Sequence, residues 1–267
     1  MLHSTKWKFL KEVIMTEFIK IRRAGLNLVG TFEKPQLKEG EKCPLVIMMH
    51  GFNSNRQEPV LVSIAQELMK NSIASVRFDF NGHGESDRRF EDMNVMNEVE
   101  DAREILRYVS NLDFVESVSI LGHSQGGVVA GMTAGYYPDD ITCLVQMAPA
   151  ATLKDDAING KLMDVRYDPN HIPEYVVHSN KQRLSSLYFR TAQHLPIYEV
   201  AHQYNRPVCL IHGTADNIVS YTASKKYQEV YPDSKLHLLE GQDHCFYHNI
   251  DEAASVAVDF IVAKVKL

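Results

Sequence analysis

Ser117-Val118-Ser119-Ile120-Leu121-Gly122-His123-Ser124-Gln125-Gly126 is the stretch on which the reading of this chain turns. The first five residues form a strand-like run. The next five match G-x-S-x-G, and the residues from Gly127 to Tyr137 are helix-like. A strand, a sharp turn and a helix in that order hold a serine hydroxyl clear of its own backbone. Glycines flank the serine because a Cβ at position 122 or 126 would collide with the turn or the neighbouring strand. Ser124 is therefore a candidate nucleophile, and the rest of the chain has to supply its base, its acid and its oxyanion donors.

Moving outward, strand-like and helix-like runs alternate, which predicts an α/β fold with a mostly parallel sheet and helices on both faces. Phe18 to Arg22 and Leu26 to Glu33 read as an opening hairpin around Ala24-Gly25. Leu45 to Met49 is a continuous apolar strand suited to burial on both faces. Pro59 to Lys70 is helical, Ala74 to Phe80 is a strand, and Val99, Ala102, Ile105, Leu106 and Val109 recur at helical spacing. Ile141 to Met147, Val208 to His212 and Lys235 to Glu240 are the remaining strands. Ala253, Val256, Ala257, Phe260 and Ile261 mark a closing amphipathic helix. The stretch 151–204 breaks the rhythm. It is rich in His, Tyr, Asn and Asp, and it falls between two core strands. An insertion of that kind is usually functional, and it reads as a cap of short helices with a small hairpin. The whole chain, 1–267, reads as one domain with this cap inserted.

The 267 residues are 45% hydrophobic, with a formal net charge of -6 and a pI near 6.1. A nucleic-acid partner would need a concentrated basic face, and no basic block stands out. No apolar run is long enough for a membrane span. Met1 to Trp7 shows no signal-like apolar segment or small-residue cleavage site, and Val13-Ile14-Met15 is too short for a signal core. The chain therefore reads as cytoplasmic, with Met15 as an alternative initiator and residues 1–14 as a loose extension. Cys43, Cys143, Cys209 and Cys245 are too scattered for a disulfide framework and read as small buried hydrophobes.

A serine hydroxyl needs a base, and the base needs an orienting carboxylate; behind a G-x-S-x-G elbow the chain order is Ser, Asp or Glu, then His. The run Val208 to His212 leads into Gly213-Thr214-Ala215-Asp216, which puts Asp216 at the carboxyl end of a strand, the edge where open α/β sheets place their sites. Lys235 to Glu240 leads into Gly241-Gln242-Asp243-His244. His244 is the candidate base and Asp216 its acid. Asp243 is the rival acid, but beside His244 it cannot easily fold back onto that imidazole. The oxyanion donors are expected at the N–H of Gln125 and, after the third strand, at the N–H of Phe52 in His50-Gly51-Phe52. His123 reads as packing. Asp79-Phe80-Asn81-Gly82-His83-Gly84-Glu85-Ser86 lacks the lysine of a phosphate loop and reads as a structural wall. His244, Cys245 and His248 lack a carboxylate at ligand spacing, so no metal is expected, and the chemistry needs no cofactor.

These motifs together resemble the α/β-hydrolase superfamily from about Phe18 to Val262. His50-Gly51-Phe52-Asn53-Ser54-Asn55-Arg56, Arg77 to Gly84, Gly122 to Gly127, Ala148 to Leu153 and Leu195 to Val200 are similar to bacterial cinnamoyl (feruloyl) esterases, of the kind found in lactobacilli and rumen bacteria. The resemblance implies a cap that holds the aromatic acyl group of hydroxycinnamate esters. It implies that Asp156 and Tyr188 bind the ring hydroxyls, that Met163 stands where some members carry a helpful glutamine, and that the protein pairs as a homodimer. The expected activity is a serine carboxylesterase acting on feruloyl, caffeoyl or coumaroyl esters, small-molecule substrates. The alternatives are a broad short-acyl esterase, a monoacylglycerol lipase, or a silent binding protein on the same fold.

Overall fold

The computed structural model describes residues 15–178 and 181–265; the expected extension, 1–14, lies outside them. β1 (Met15–Arg23) and β2 (Leu26–Lys34) form the antiparallel opening hairpin. β3 (Cys43–Met49) follows, then α1 (Pro59–Lys70), whose Pro59 suits a first helical position. β4 (Ala74–Phe78), α2 (Val95–Ser110), β5 (Val115–His123), α3 (Gln125–Tyr136) and β6 (Leu144–Met147) complete the first half. The stretch without strand rhythm holds α4 (Leu153–Ile158), a small hairpin of β7 (Lys161–Leu162) and β8 (Val165–Arg166), and a second one of β9 (Tyr175–Val177) and β10 (Arg183–Ser185). Two more helices, α5 (Ser186–Gln193) and α6 (Ile197–Ala201), end it. β11 (Val208–Gly213), α7 (Thr222–Val230), β12 (Ser234–Leu239) and α8 (Ile250–Val265) return to the core.

Among the described residues the main sheet has eight strands in the order β1-β2-β4-β3-β5-β6-β11-β12. Pairing is antiparallel from β1 to β4 and parallel from there on. Alternation along β3 explains its unbroken apolar run. Leu45, Ile47 and Met49 join one core, with Val99, Ile105, Val128 and Met132 of α2 and α3. Val46 and Met48 join the other, with Leu61, Ile64 and Leu68 of α1 and Ala257 and Ile261 of α8. A strand covered on both faces has no place for a polar side chain.

Two strands are shorter than the sequence suggests. β4 stops at Phe78, not Phe80, because the next N–H groups find other acceptors: Asp79 bonds the Val29 carbonyl (2.9 Å) and Phe80 bonds His50 Nε2 (3.1 Å). β6 starts at Leu144, not Ile141, and the Tyr204 hydroxyl takes the Ile141 carbonyl at 3.2 Å. α3 starts at Gln125 rather than Gly127, so it springs directly from Ser124. Cys43, Cys143 and Cys209 are buried, Cys245 is half-buried, and all are free thiols. Burial pushes Cys143 up to about 11 and Cys209 to about 12, which keeps both unreactive.

Candidate active site

Ser124 sits between β5 and α3 with φ 55° and ψ -122°, a conformation that side-chain-bearing residues rarely adopt. The turn survives because its flanks are bare. A Cβ on Gly122 would lie 2.1 Å from the Gly126 carbonyl oxygen, and one on Gly126 would lie 2.4 Å from the carbonyl oxygens of both Met49 and His50. The elbow is therefore pressed against the end of β3.

Three strand ends meet at this point. Ser124 Oγ lies 2.9 Å from His244 Nε2, and His244 Nδ1 lies 2.7 Å from Asp216 Oδ2. Ser124 is 7% exposed and His244 6%. With Nδ1–H donating to the carboxylate, Nε2 is left as the acceptor that faces the serine. Burial alone would raise the Asp216 carboxyl, but hydrogen bonds from His212 and His244 outweigh it and hold the group well below the usual carboxylate range. His212 Nε2 reaches Asp216 Oδ2 at 3.1 Å, while its Nδ1 meets the Ser224 hydroxyl at 2.8 Å. The Asp216 Oδ1 atom accepts from the N–H groups of Ile218 and Val219, both at 2.9 Å. Asp243 turns elsewhere: its Oδ1 accepts from the N–H groups of Cys245 and Tyr247, each at 3.0 Å.

Burial lowers the His244 imidazole below its ordinary value of 6.5; the Asp216 hydrogen bond opposes this, and the charge of His123 adds to it. A base of this kind is neutral near pH 7. If it accepts the serine proton, kcat/KM should hold steady near neutrality and fall on acidification with a midpoint below pH 6.5. A pH–rate profile reads this directly, and a midpoint above pH 7 would exclude His244 as the base.

The N–H of Phe52 follows Gly51 on the loop after β3, and the N–H of Gln125 opens α3. Neither bonds another backbone group among the described residues. A Cβ on Gly51 would come within 3.0 Å of Ser124 Cβ, so the loop carrying Phe52 closes tightly on the elbow. The loop Asp79 to Ser86, expected as a wall of the site, contributes no residue to the lining of the cavity over Ser124 and is held by its own acid. Asp79 ion-pairs with Arg56, accepts from the Glu85 N–H at 2.9 Å, and its carbonyl takes the Ser86 hydroxyl at 2.6 Å.

A cavity of about 430 Å³ opens over Ser124. Phe52, Leu153, Leu162, Phe189 and Val219 form apolar walls, and Gln125, Asp156, Lys161, Met163 and Tyr188 also line it. Both carried-over residues thus face this space. Tyr188 is 4% exposed, and its hydroxyl donates to Gln125 Oε1 at 2.9 Å. Gln125 Nε2 in turn donates to Glu98 Oε2 at 2.8 Å. Burial pushes the Glu98 carboxyl up to about 8. Asp156 lies in the first turn of α4 and ion-pairs with Lys161 at 3.3 Å. Glu98 carries no local sequence signal, since its partner Gln125 is 27 residues away; His212 is spaced four residues from Asp216, a pairing that shows only once the loop after β11 folds back.

Residues 40–198 match the family model described as "Serine aminopeptidase, S33". The chain is 30% identical to Est1E from Butyrivibrio proteoclasticus with ferulic acid bound, covering 93% of this chain and 100% of that one with a TM-score of 0.90. It is 26% identical over 234 residues to the mouse mitochondrial palmitoyl-protein thioesterase ABHD10, covering 84% of this chain and 77% of that relative. Over 109 residues it is 32% identical to the rat monoacylglycerol lipase ABHD6, a stretch that is 40% of this chain and 31% of the lipase. The chain thus matches only about a third of the length of the monoacylglycerol lipases it resembles.

Proposed function

We propose that this chain, which belongs to the family described as serine aminopeptidase, S33, is a serine carboxylesterase that hydrolyses hydroxycinnamate esters. Membership and likeness to Est1E support a hydrolase of the α/β class. The observation that carries the finer reading is the continuous path from Ser124 through His244 to Asp216, at 2.9 and 2.7 Å, beneath an apolar cavity, in a chain that shares its fold with Est1E, a protein solved with ferulic acid bound.

In this reading Ser124 Oγ attacks the ester carbonyl carbon while its proton passes to His244 Nε2. The N–H groups of Phe52 and Gln125 take the oxyanion. The C–O bond to the alcohol breaks as His244 returns the proton to the leaving alkoxide. Water then loses a proton to His244 and attacks the acyl-serine, and the acid leaves as Ser124 regains its hydrogen. Asp216 stays ionised and steadies the imidazolium formed in each half. Each oxyanion donor contributes roughly 3 kcal/mol. Segment 151–204 acts as the cap and selects the acyl group.

Tyr188 spends its hydrogen on Gln125, which leaves its oxygen as an acceptor for a ring hydroxyl. Tyr188→Phe should lower kcat/KM for ethyl ferulate by about tenfold, the worth of one hydrogen bond, and leave ethyl cinnamate almost unchanged. Equal losses on both esters would remove Tyr188 from ring-hydroxyl recognition. The overall reading is tested with ferulate, caffeate, short aliphatic and monoacylglycerol esters and an aminoacyl anilide. A clear preference for the aliphatic ester or the anilide would overturn it. Preference for long acyl chains would favour a monoacylglycerol lipase, a second reading supported by the ABHD6 match and the apolar walls. Cytoplasmic location and homodimeric assembly belong to the same proposal. No helix among the described residues is long and apolar enough to cross a membrane.

A further inference from the structure

Glu58 immediately precedes α1, and its side chain is only 10% exposed. Its Oε2 accepts from the Gly51 N–H at 3.0 Å and from the Ser54 hydroxyl at 3.1 Å. Its Oε1 makes a close charge contact with His123 Nδ1, without the alignment of a hydrogen bond. The other ring nitrogen, His123 Nε2, lies 2.8 Å from the carbonyl oxygen of His244. Both nitrogens of one imidazole therefore face atoms that only accept: a carboxylate and a peptide carbonyl. A neutral ring carries one N–H and could serve only one of them. An acceptor facing each ring nitrogen favours the imidazolium form of His123.

The electrostatics agree. Burial opposes ionisation of Glu58, yet the His123 charge and the Gly51 N–H hold its carboxyl down at about 2. Burial likewise works against charge on His123, and Glu58 overrides it, so that this imidazole is raised.

The pair touches three segments at once. Gly51 adjoins Phe52, His123 adjoins Ser124, and the bonded carbonyl belongs to His244 itself. Neither Glu58 nor His123 lines the cavity. We propose that the Glu58–His123 ion pair is a positioning clasp, which locks the Phe52 N–H, the Ser124 hydroxyl and the His244 ring into one working arrangement. This rests on the serine-hydrolase reading above. A buried ion pair is poor evidence for stability, because desolvation offsets its attraction. Its value here is geometric: a displacement of about 1 Å in such a constellation can cost about 10²-fold in rate. The titratable groups around the pair are His50 across the loop, Asp216 and His244 of the site, and Cys245 and Tyr247 on the turn after it.

The test is Glu58→Gln, which keeps the shape and removes the charge. kcat for the preferred ester should fall by roughly 10- to 100-fold with KM within about twofold. His123 would then become neutral and cease to oppose protonation of His244, so the acid limb of kcat/KM should move to higher pH. Glu58→Asp should recover part of kcat. A kcat within about twofold of wild type, or an acid limb that stays in place, overturns the proposal. Should the variant not fold, nitrogen-15 NMR of the wild-type histidines decides. Both ring nitrogens of His123 are expected to be protonated at pH 7, and a neutral ring at that pH overturns the clasp. Wild-type and Ser124→Ala turnover measured alongside separate this outcome from failure of the hydrolase reading, and the NMR result does not depend on turnover.

Discussion

Ser124→Ala is expected to lose roughly 10⁶-fold in kcat for its preferred ester, with little change in fold. The size follows from what disappears. Without Oγ there is no acyl-enzyme, and His244 and Asp216 have nothing to activate; the residual rate comes from the oxyanion donors and binding. The fold should hold because the hydroxyl bonds His244 alone among the described residues. Alanine also brings no new atom into the turn, where serine already carries a Cβ at φ 55°. Steady-state turnover, labelling by a serine-reactive phosphonate and circular dichroism check this. A variant that keeps a tenth of wild-type activity would remove Ser124 as the nucleophile.

Gly126→Ala should be the most damaging single-methyl change in the elbow. The added carbon would sit 2.4 Å from two carbonyl oxygens, those of Met49 and His50, and 2.7 Å from the Met49 carbonyl carbon. All three are backbone atoms at the end of β3, in the middle of the sheet, and cannot swing aside as a side chain could. Overpacking a well-packed core costs about 1–3 kcal/mol; here, against fixed backbone, the upper end or beyond is expected. For a chain of this size that lowers Tm by roughly 6–12 °C. Activity should fall further than stability, since relief of the clash must push Ser124 away from His244. Thermal melts and turnover on the soluble fraction test both parts. A variant melting within about 1 °C of wild type with full activity would mean that the elbow is not packed as described.

The features legible in the sequence are those with a local physical cause. The alternation of apolar runs announced the sheet, and the glycines at 122 and 126 announced a turn that nothing larger could occupy. Asp216 and His244 each follow a strand, so the parallel topology carries both to one edge. The pairings across the chain were not legible. Nothing near Glu58 points to His123, nothing near Glu98 points to Gln125, and His212 looks like any strand residue until Asp216 folds back over it. The insertion was recognised by the absence of a period, but its arrangement depends on single contacts such as Tyr188 to Gln125 and Arg183 to Glu91, which leave no mark on local composition. Strands end short of the apolar pattern where a loop acceptor competes with the ladder, as His50 does for the Phe80 N–H.

β6 and β11 are adjacent rails, with Leu144 level with Val208 and Met147 level with Ile211. Everything between them departs from one rail and rejoins its neighbour. Strand order on either side does not depend on the excursion's length, since doubling a loop's length costs only about 0.6 kcal/mol in closure entropy. Ser124, Asp216 and His244 all lie outside it. Its inner side is rooted, with Phe189, Leu195, Ile197 and Tyr204 buried in the core of the sheet, so only its outer turns are free to vary in length.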